Sequence, residues 1–386
     1  MKRTVLFLVE SLAGGGAEKV LLTLLKNLDY TKFEVTLCCV TDVGVYVKQL
    51  PKSVHYLSVL PDFKSLSLWG KLCYKMKYHL IYHWMPLRYV YRFFIPQDRQ
   101  VEVAFVEGFA TNLLSHSTSK HSKKITWMHS NPAKHHWTAA LYKGIGEEVR
   151  AYNNYTRIVT VSDMVKEAFL SVFKGVTTPV LTLYNPIDAT EIRAKADEIF
   201  PSLRTGWEPS ATHVLRLVSL GRLSYEKAYD RLLRIVKRLR DEHFIFELWL
   251  LGDGPERVSL ASYIKDNQLE DCVTLWGFQS NPYVFLKRSD LFVCSSISEG
   301  YSTAVTESLI LGIPIITTDC SGMHELLGNN EYGVITDNSE ESLYLGLKKL
   351  LSDPSLLEAY RQKAVKRGDD FSLSSLVEPI ETLFLS

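Results

Sequence analysis

The residues best suited to chemistry lie between Ser298 and Glu325. They read Ser298-Glu299-Gly300-Tyr301-Ser302-Thr303, then Glu307, Gly312-Ile313-Pro314 and Ser321-Gly322. Glu299 and Glu307 stand eight residues apart. An apolar helical pattern through Ala304, Val305, Leu309 and Leu311 starts between them. Glu299 is therefore expected in the loop before a helix, and Glu307 about two turns into it. The amides of Tyr301, Ser302 and Thr303 would form the helix N-terminus, where unpaired N–H groups and the helix dipole attract an anion. Two carboxylates that accept hydroxyl hydrogen bonds, flanking such a helix start, suit a sugar joined to a nucleotide diphosphate.

Cations for that diphosphate stand upstream. Gly221-Arg222-Leu223-Ser224-Tyr225-Glu226-Lys227-Ala228-Tyr229-Asp230 follows an apolar strand pattern. Breaking a sugar–phosphate bond leaves more negative charge on the diphosphate, and Arg222 and Lys227 are placed to stabilise it as it develops. A second glycine turn, Leu251-Gly252-Asp253-Gly254-Pro255-Glu256, ends another strand and starts a helix. A third stretch of interest is Trp276-Gly277-Phe278.

The first half offers Glu10-Ser11-Leu12-Ala13-Gly14-Gly15-Gly16-Ala17-Glu18-Lys19 after its first strand. The glycines allow close approach of backbone to a ligand. The loop is no Walker A motif, and Lys19 stands where a dinucleotide fingerprint needs its third glycine. His129-Ser130-Asn131-Pro132 follows another strand, so His129 can reach a ligand; His135 and His136 compete for that role. No further ligands at suitable spacing turn these histidines into a metal site. The chain contains no Asp-x-Asp motif.

These loops need strands to carry them. Strand patterns occur near Thr4–Val9, Glu34–Val40, Val101–Val106, Ile125–Met128, Ile158–Val161 and Val180–Tyr184. A second series lies near Val214–Ser219, Phe246–Leu251, Val273–Leu275, Leu291–Cys294, Pro314–Thr317 and Gly333–Ile335. Val/Ile/Leu-rich strands alternating with amphipathic helices predict parallel sheets covered by helices. Two series predict two α/β, doubly wound, Rossmann-like domains, at residues 1–185 and 186–370, with a closing helix at 371–386. A polar insert, roughly Phe200 to Thr212, precedes the second series.

The chain has 386 residues, 46% hydrophobic and 23% charged, enough for two cores and against wholesale disorder. Its six cysteines form no CxxC, which favours reduced, buried thiols and a cytoplasmic setting. The apolar N-terminal run stops at Glu10 and reads as a buried strand, not a signal peptide. No run approaches a membrane span. The net charge of +1 hides an asymmetry: residues 1–185 carry 23 Lys and Arg against 13 Asp and Glu, and the remainder carries 21 against 30. The basic half is expected to face something anionic.

Taken together, Glu299–Glu307 with their flanks, Gly221–Asp230, the Gly252–Glu256 turn and the Gly15-Gly16-Ala17-Glu18 loop resemble the retaining family-four glycosyltransferases with the GT-B fold, of the bacterial cell-surface polysaccharide type. The resemblance is strong over roughly Val214 to Asp337 and weaker, though correctly ordered, before that. It implies two Rossmann-like domains facing a cleft, with the closing helix crossing back onto the first. It implies donor binding by Gly15, Gly16, Arg222, Lys227, Gly254, Phe278, Glu299, Tyr301, Ser302, Thr303 and Glu307. Glu10, Glu18, Glu107 and His129 fall on the acceptor side, and His129, Glu299, Arg222 and Lys227 carry the catalysis. Trp276-Gly277-Phe278 resembles the segment whose backbone holds the base. Two positions depart from the family pattern: Ser130 replaces the usual acid after the histidine, and Ala228 replaces a glycine. The implied reaction moves a hexosyl or N-acetylhexosaminyl group from a nucleotide-diphosphate sugar, UDP foremost, to a lipid-linked or glycan acceptor with retention. No metal and no cofactor are implied. Three rivals stay open: a sugar-nucleotide epimerase, a non-catalytic sugar-nucleotide binder, and a dehydrogenase using the Gly14–Gly16 loop.

One basic segment stands apart. From Lys64 to Pro96 there are six Lys and Arg, nine aromatics and no Asp or Glu. Such a pattern reads as a surface lying on anionic lipid, placing the protein peripherally at the cytoplasmic face of a membrane, with no nucleic-acid partner expected. A core helix with a basic outer face is the alternative. Lys71, Lys75, Tyr78 and Tyr82 are expected to share one face, and Trp69, Leu72, Met76 and Leu80 another. Pro86 should end or kink the helix.

Overall fold

The computed structural model describes residues 1–200 and 214–386, so the expected polar insert lies, beyond Phe200, outside the described residues. The chain forms two compact units. One is Met1–Pro186 together with Ser374–Ser386, and the other is Ile187–Leu373.

The first unit holds seven strands: β1 (Arg3–Val9), β2 (Phe33–Thr41), β3 (Val54–Leu60), β4 (Val101–Ala104), β5 (Lys123–Met128), β6 (Arg157–Thr160) and β7 (Val180–Thr182). Their order is β3-β2-β1-β4-β5-β6-β7, with all pairs parallel. The second unit holds β8 (Leu215–Leu220), β9 (Phe246–Leu251), β10 (Val273–Gly277), β11 (Leu291–Cys294), β12 (Ile315–Thr318) and β13 (Val334–Thr336). Their order is β10-β9-β8-β11-β12-β13, again parallel throughout. Each is a doubly wound sheet, as the strand–helix alternation predicts.

Parallel strands covered on both faces are mostly apolar, and Val5 to Val9 are wholly buried. β3 breaks that rule and escapes the sequence reading. It is an edge strand with exposed His55 and Ser58, so it shows no continuous apolar run. Helix starts obey local chemistry. The Ser162 hydroxyl accepts from Val165 N at 3.2 Å, and Asp188 accepts from Glu191 N at 2.8 Å. Asp353 accepts from Ser355 and Leu356 N, both at 3.0 Å, ahead of a helix whose first residue is Pro354.

The C-terminal helix Leu373–Leu385 packs within the first unit. Phe384 meets Phe7 and Phe33 edge-on, at ring separations of 5.8 and 6.0 Å. Glu381 accepts from Asp29 N at 2.7 Å and pairs with Lys32 at 3.0 Å.

In the basic segment, the helix Leu68–His79 runs into one π-helical turn, Leu80–Trp84, and Pro86 precedes a new helix, Leu87–Phe94. The expected faces need correcting. Tyr74, Tyr78 and Tyr82 form an inward ladder that ends on Phe109, with rings 6.3, 4.5 and 4.3 Å apart in turn. Lys77 also turns inward, donating to Val59 O at 2.6 Å with its ammonium 5.0 Å from the centre of the Phe94 ring. Leu68, Trp69, Leu72, Met76 and Trp84 are exposed. Among the described residues, no helix is long and apolar enough to cross a membrane.

Candidate functional sites

In an open parallel sheet, ligands bind outside the carboxyl ends of strands where the order reverses. In the second unit that point lies between β8 and β11. The loop after β8 carries Arg222 and Lys227; the loop after β11 carries Glu299. Lys227 Nζ donates to Glu299 Oε1 at 2.6 Å, and Ser296 Oγ donates to the same oxygen at 2.6 Å. Both partners are largely buried. Burial works against the Lys227 charge, but Glu299, with help from Cys294 and Tyr229, outweighs it and holds the ammonium above its ordinary pKa. Only about 10 Å³ of space remains among Lys227, Tyr229, Cys294, Ser296 and Glu299, room for a single water. Arg222 differs: its guanidinium is exposed and makes no ion pair among the described residues.

The two loops are locked together. Ile297 N donates to Glu226 O at 2.8 Å, and Ser295 Oγ donates to Lys227 O at 2.8 Å. Ala228 takes φ +49°, ψ +46°, the left-handed conformation. The glycine expected there would adopt it freely, whereas the alanine Cβ crowds the following carbonyl oxygen.

The helix after Glu299 is Thr303–Ile310, with Ser302 as its cap, the hydroxyl accepting from Val305 N at 3.4 Å. The N–H groups of Thr303 and Ala304 have no acceptor within the helix. Glu307 lies just over one turn in, not two, because the Ser302 cap starts the helix only at Thr303. Its carboxylate is buried and accepts from Tyr283 OH at 3.4 Å.

Gly254 lies beside these loops. A Cβ on Gly254 would fall 2.3 Å from Leu223 O, so the turn after β9 lies directly on the loop carrying Arg222. Phe278 is exposed. Arg257 Nη1, near Gly277, and Glu256 Oε2 and Trp276 Nε1 are buried with no hydrogen-bond partner among the described residues. Burial raises the Glu256 pKa.

In the first unit the order reverses between β1 and β4. After β1, Glu10 is accessible. Desolvation raises its pKa, although Tyr82 OH donates to it at 3.2 Å. The Glu18 carboxylate folds back over Gly15, and a Cβ there would fall 2.1 Å from Oε2. After β4 and β5, Glu107 joins two chain segments: it accepts from His129 N at 2.8 Å and from Ser130 Oγ at 2.5 Å. Ser130, which takes the place of the usual acid, thus brings Glu107 against the histidine. His129 Nε2 donates to Phe105 O at 2.8 Å, since a carbonyl only accepts, leaving Nδ1 as the ring's acceptor. Burial lowers the His129 pKa, with Glu107 and the Phe105 carbonyl acting the other way.

His136 leaves the contest for that role. It pairs with the buried Glu148 at 2.8 Å, and Thr138 Oγ1 donates to the same carboxylate at 2.7 Å. His135 is exposed. Trp137 escaped the sequence reading. Its Nε1 donates to Ser130 Oγ at 3.3 Å, and its ring covers Gly108, where a Cβ would come within 2.6 Å. Its only sequence signal is an aromatic a few residues after the His129–Pro132 loop. Among the described residues, no three His, Cys, Asp or Glu side chains group as metal ligands.

Residues 209–367 match the family model described as glycosyl transferases group 1. The chain is 28% identical over 368 residues, covering 94% of both proteins, to a Campylobacter jejuni enzyme. That enzyme is N-acetylgalactosamine-N,N'-diacetylbacillosaminyl-diphospho-undecaprenol 4-alpha-N-acetylgalactosaminyltransferase. The fold of the chain resembles that of Anabaena HepE, solved in complex with UDP and glucose, with TM-score 0.76, 18% identity and 99% of each chain covered. It also resembles WaaG, a glycosyltransferase involved in lipopolysaccharide biosynthesis, with TM-score 0.71, 17% identity and 98% and 99% covered. Two doubly wound units of this kind make up the GT-B fold. The chain thus has the GT-B fold, and its residues 209–367 are similar to the group 1 glycosyl transferases.

Proposed function

We propose that the protein transfers a hexosyl or N-acetylhexosaminyl group from a UDP-sugar to a lipid-linked glycan in polysaccharide assembly, with retention of configuration. The observation that carries this reading is the Lys227–Glu299 pair beside the start of the helix Thr303–Ile310. Glu299 takes the sugar hydroxyls, the amides of Thr303 and Ala304 take phosphate, and Glu307 holds the ribose. Arg222 and Lys227 neutralise the departing diphosphate, work that a metal ion does elsewhere, so no metal or cofactor is required. A front-side reaction, in which the leaving phosphate helps take the acceptor's proton, needs no carboxylate nucleophile of the glycosidase kind. The UDP in the HepE structure and the diphospho-undecaprenol acceptor of the Campylobacter enzyme support the substrate classes.

The test is UDP release from UDP-glucose, UDP-galactose, UDP-N-acetylglucosamine and UDP-N-acetylgalactosamine, with EDTA present and undecaprenyl-diphosphate glycans as acceptors. One donor should turn over. Glu307→Ala should weaken binding of bare UDP in calorimetry, and unchanged affinity would refute the ribose assignment.

We also place the first unit on an anionic bilayer at the cytoplasmic face. The exposed edge Leu68, Trp69, Leu72, Met76 and Trp84 is flanked by exposed Lys64, Lys75, Arg88 and Arg92, and no acid occurs from Lys64 to Pro96. Each Lys or Arg near such a surface contributes about 1 kcal/mol, and the aromatics add burial in the headgroup layer. Changing Lys75, Arg88 and Arg92 to Glu should abolish flotation with phosphatidylglycerol vesicles and leave UDP binding intact. Equal binding of wild type to anionic and neutral vesicles would sink the idea.

A further inference from the structure

Arg231 has no role in the donor chemistry, yet it is buried directly under the loop that carries it. It lies in the helix Tyr229–Asp241 with 8% of its surface exposed. Its Nη2 donates to Ser295 O, and to Ser296 O at 3.2 Å; its Nη1 donates to Asn338 Oδ1 at 3.0 Å. No carboxylate lies in ion-pair range among the described residues, and Nε has no partner. Asn338 extends the grip, donating through Nδ2 to Ile297 O at 2.9 Å. Thr318 Oγ1 and Cys320 Sγ also donate to Ser296 O, at 2.5 and 3.1 Å. Three consecutive carbonyls, at positions 295, 296 and 297, are thus held by donors from other segments.

A buried guanidinium satisfied by carbonyls is an expensive way to fill space, and an apolar side chain of similar volume would serve stability as well or better. What the arrangement does achieve is orientation. With its peptide fixed on both sides, Ser296 presents Oγ to Glu299 Oε1, the oxygen that also meets Lys227. Ser295, whose own carbonyl Arg231 holds, donates through Oγ to the Lys227 carbonyl.

We propose that Arg231 is a positioning residue of the donor site: through the Ser295 and Ser296 carbonyls it sets the loop that aims Glu299 at the donor sugar. The inference rests on the reading of Glu299 as a donor-sugar ligand. It assigns Arg231 no contact with substrate.

The test uses the full chain carrying Arg231→Lys, Arg231→Met, Glu299→Gln and the double variant Arg231→Lys with Glu299→Gln. Arg231→Met should lower kcat for UDP release by about 30–100-fold, the scale of a reacting group misplaced by about 1 Å. Its affinity for bare UDP should stay within about threefold of wild type, since UDP lacks the sugar that Glu299 holds. Arg231→Lys should recover part of the loss. The double variant should turn over no more slowly than Glu299→Gln alone, because a residue acting through Glu299 has nothing left to orient. Should Arg231→Met fail to fold, the cycle with Arg231→Lys carries the test. Losses that multiply in the double variant, or wild-type kcat in Arg231→Met, would overturn the proposal and leave the donor site standing. Wild-type turnover in Glu299→Gln would instead remove the donor reading itself.

Discussion

Gly254→Ala is a small change with a large expected effect. The added Cβ would lie 2.3 Å from Leu223 O and 2.7 Å from Leu223 C and N, where real contacts stay beyond 3.0 Å. One side must therefore yield by about 0.7 Å. Neither side is loose. Leu223 N donates to Asp253 O at 3.0 Å, and Leu223 O accepts from Glu256 N at 3.0 Å, so the intruding methyl strains both bonds. Leu223 comes directly after Arg222 and leads into Lys227. Overpacking of this kind costs about 1–3 kcal/mol of stability. A displacement of that size beneath the cations proposed to act on the diphosphate can cost about 10²-fold in rate. Gly15→Ala is the control. It meets only the end of the Glu18 side chain, which can swing away, so its stability should change by less than about 0.5 kcal/mol. Thermal unfolding and kcat for UDP release, run on both variants, decide the matter. A Gly254→Ala protein with wild-type melting and wild-type kcat would refute the reasoning from backbone contact.

Arg222 and Lys227 should separate stability from activity. Arg222→Ala should leave unfolding unchanged and lower kcat by about 10²–10³-fold, whereas Lys227→Met should lose activity similarly and also about 2–3 kcal/mol of stability, because Glu299 is left in its buried place without its cation. Denaturant titration alongside turnover checks both, and an Arg222→Ala protein with full activity would exclude it from the donor site. His129 sets a pH dependence. Its folded pKa is depressed by burial, so the unfolded chain takes up the proton first. Stability is therefore full above the ordinary value near 6.5 and falls as pH drops from there toward the folded value. His129→Gln should flatten that slope in chemical unfolding between pH 7 and pH 5; an unchanged slope would show that other groups cause it.

Much of this protein is legible in its sequence, for a physical reason. Strands of a doubly wound sheet are buried on both faces, so β1, β9 and β11 appear as short apolar runs whose ends can be read within a residue or two. The loop leaving such a strand is exposed at its carboxyl end, and Arg222, Lys227 and Glu299 stand out there as charges at fixed offsets, with Glu307 in the helix that follows. Local sequence also marks the break at Pro86 and the helix start at Pro354, since proline acts on its own neighbours. Strand order is different, because it depends on pairings between residues far apart in the chain. Only the tertiary structure sets β8 beside β11, bringing Lys227 to an oxygen of Glu299 across 72 positions. Likewise it sets β4 beside β5, so that Glu107 reaches His129 and Ser130. The direction in which long side chains turn is equally non-local: Lys77 and the tyrosine ladder go inward, and Trp69 and Met76 stay out. Arg231 shows the limit most clearly, since a buried arginine bonded to carbonyls of another loop leaves no pattern in its own segment.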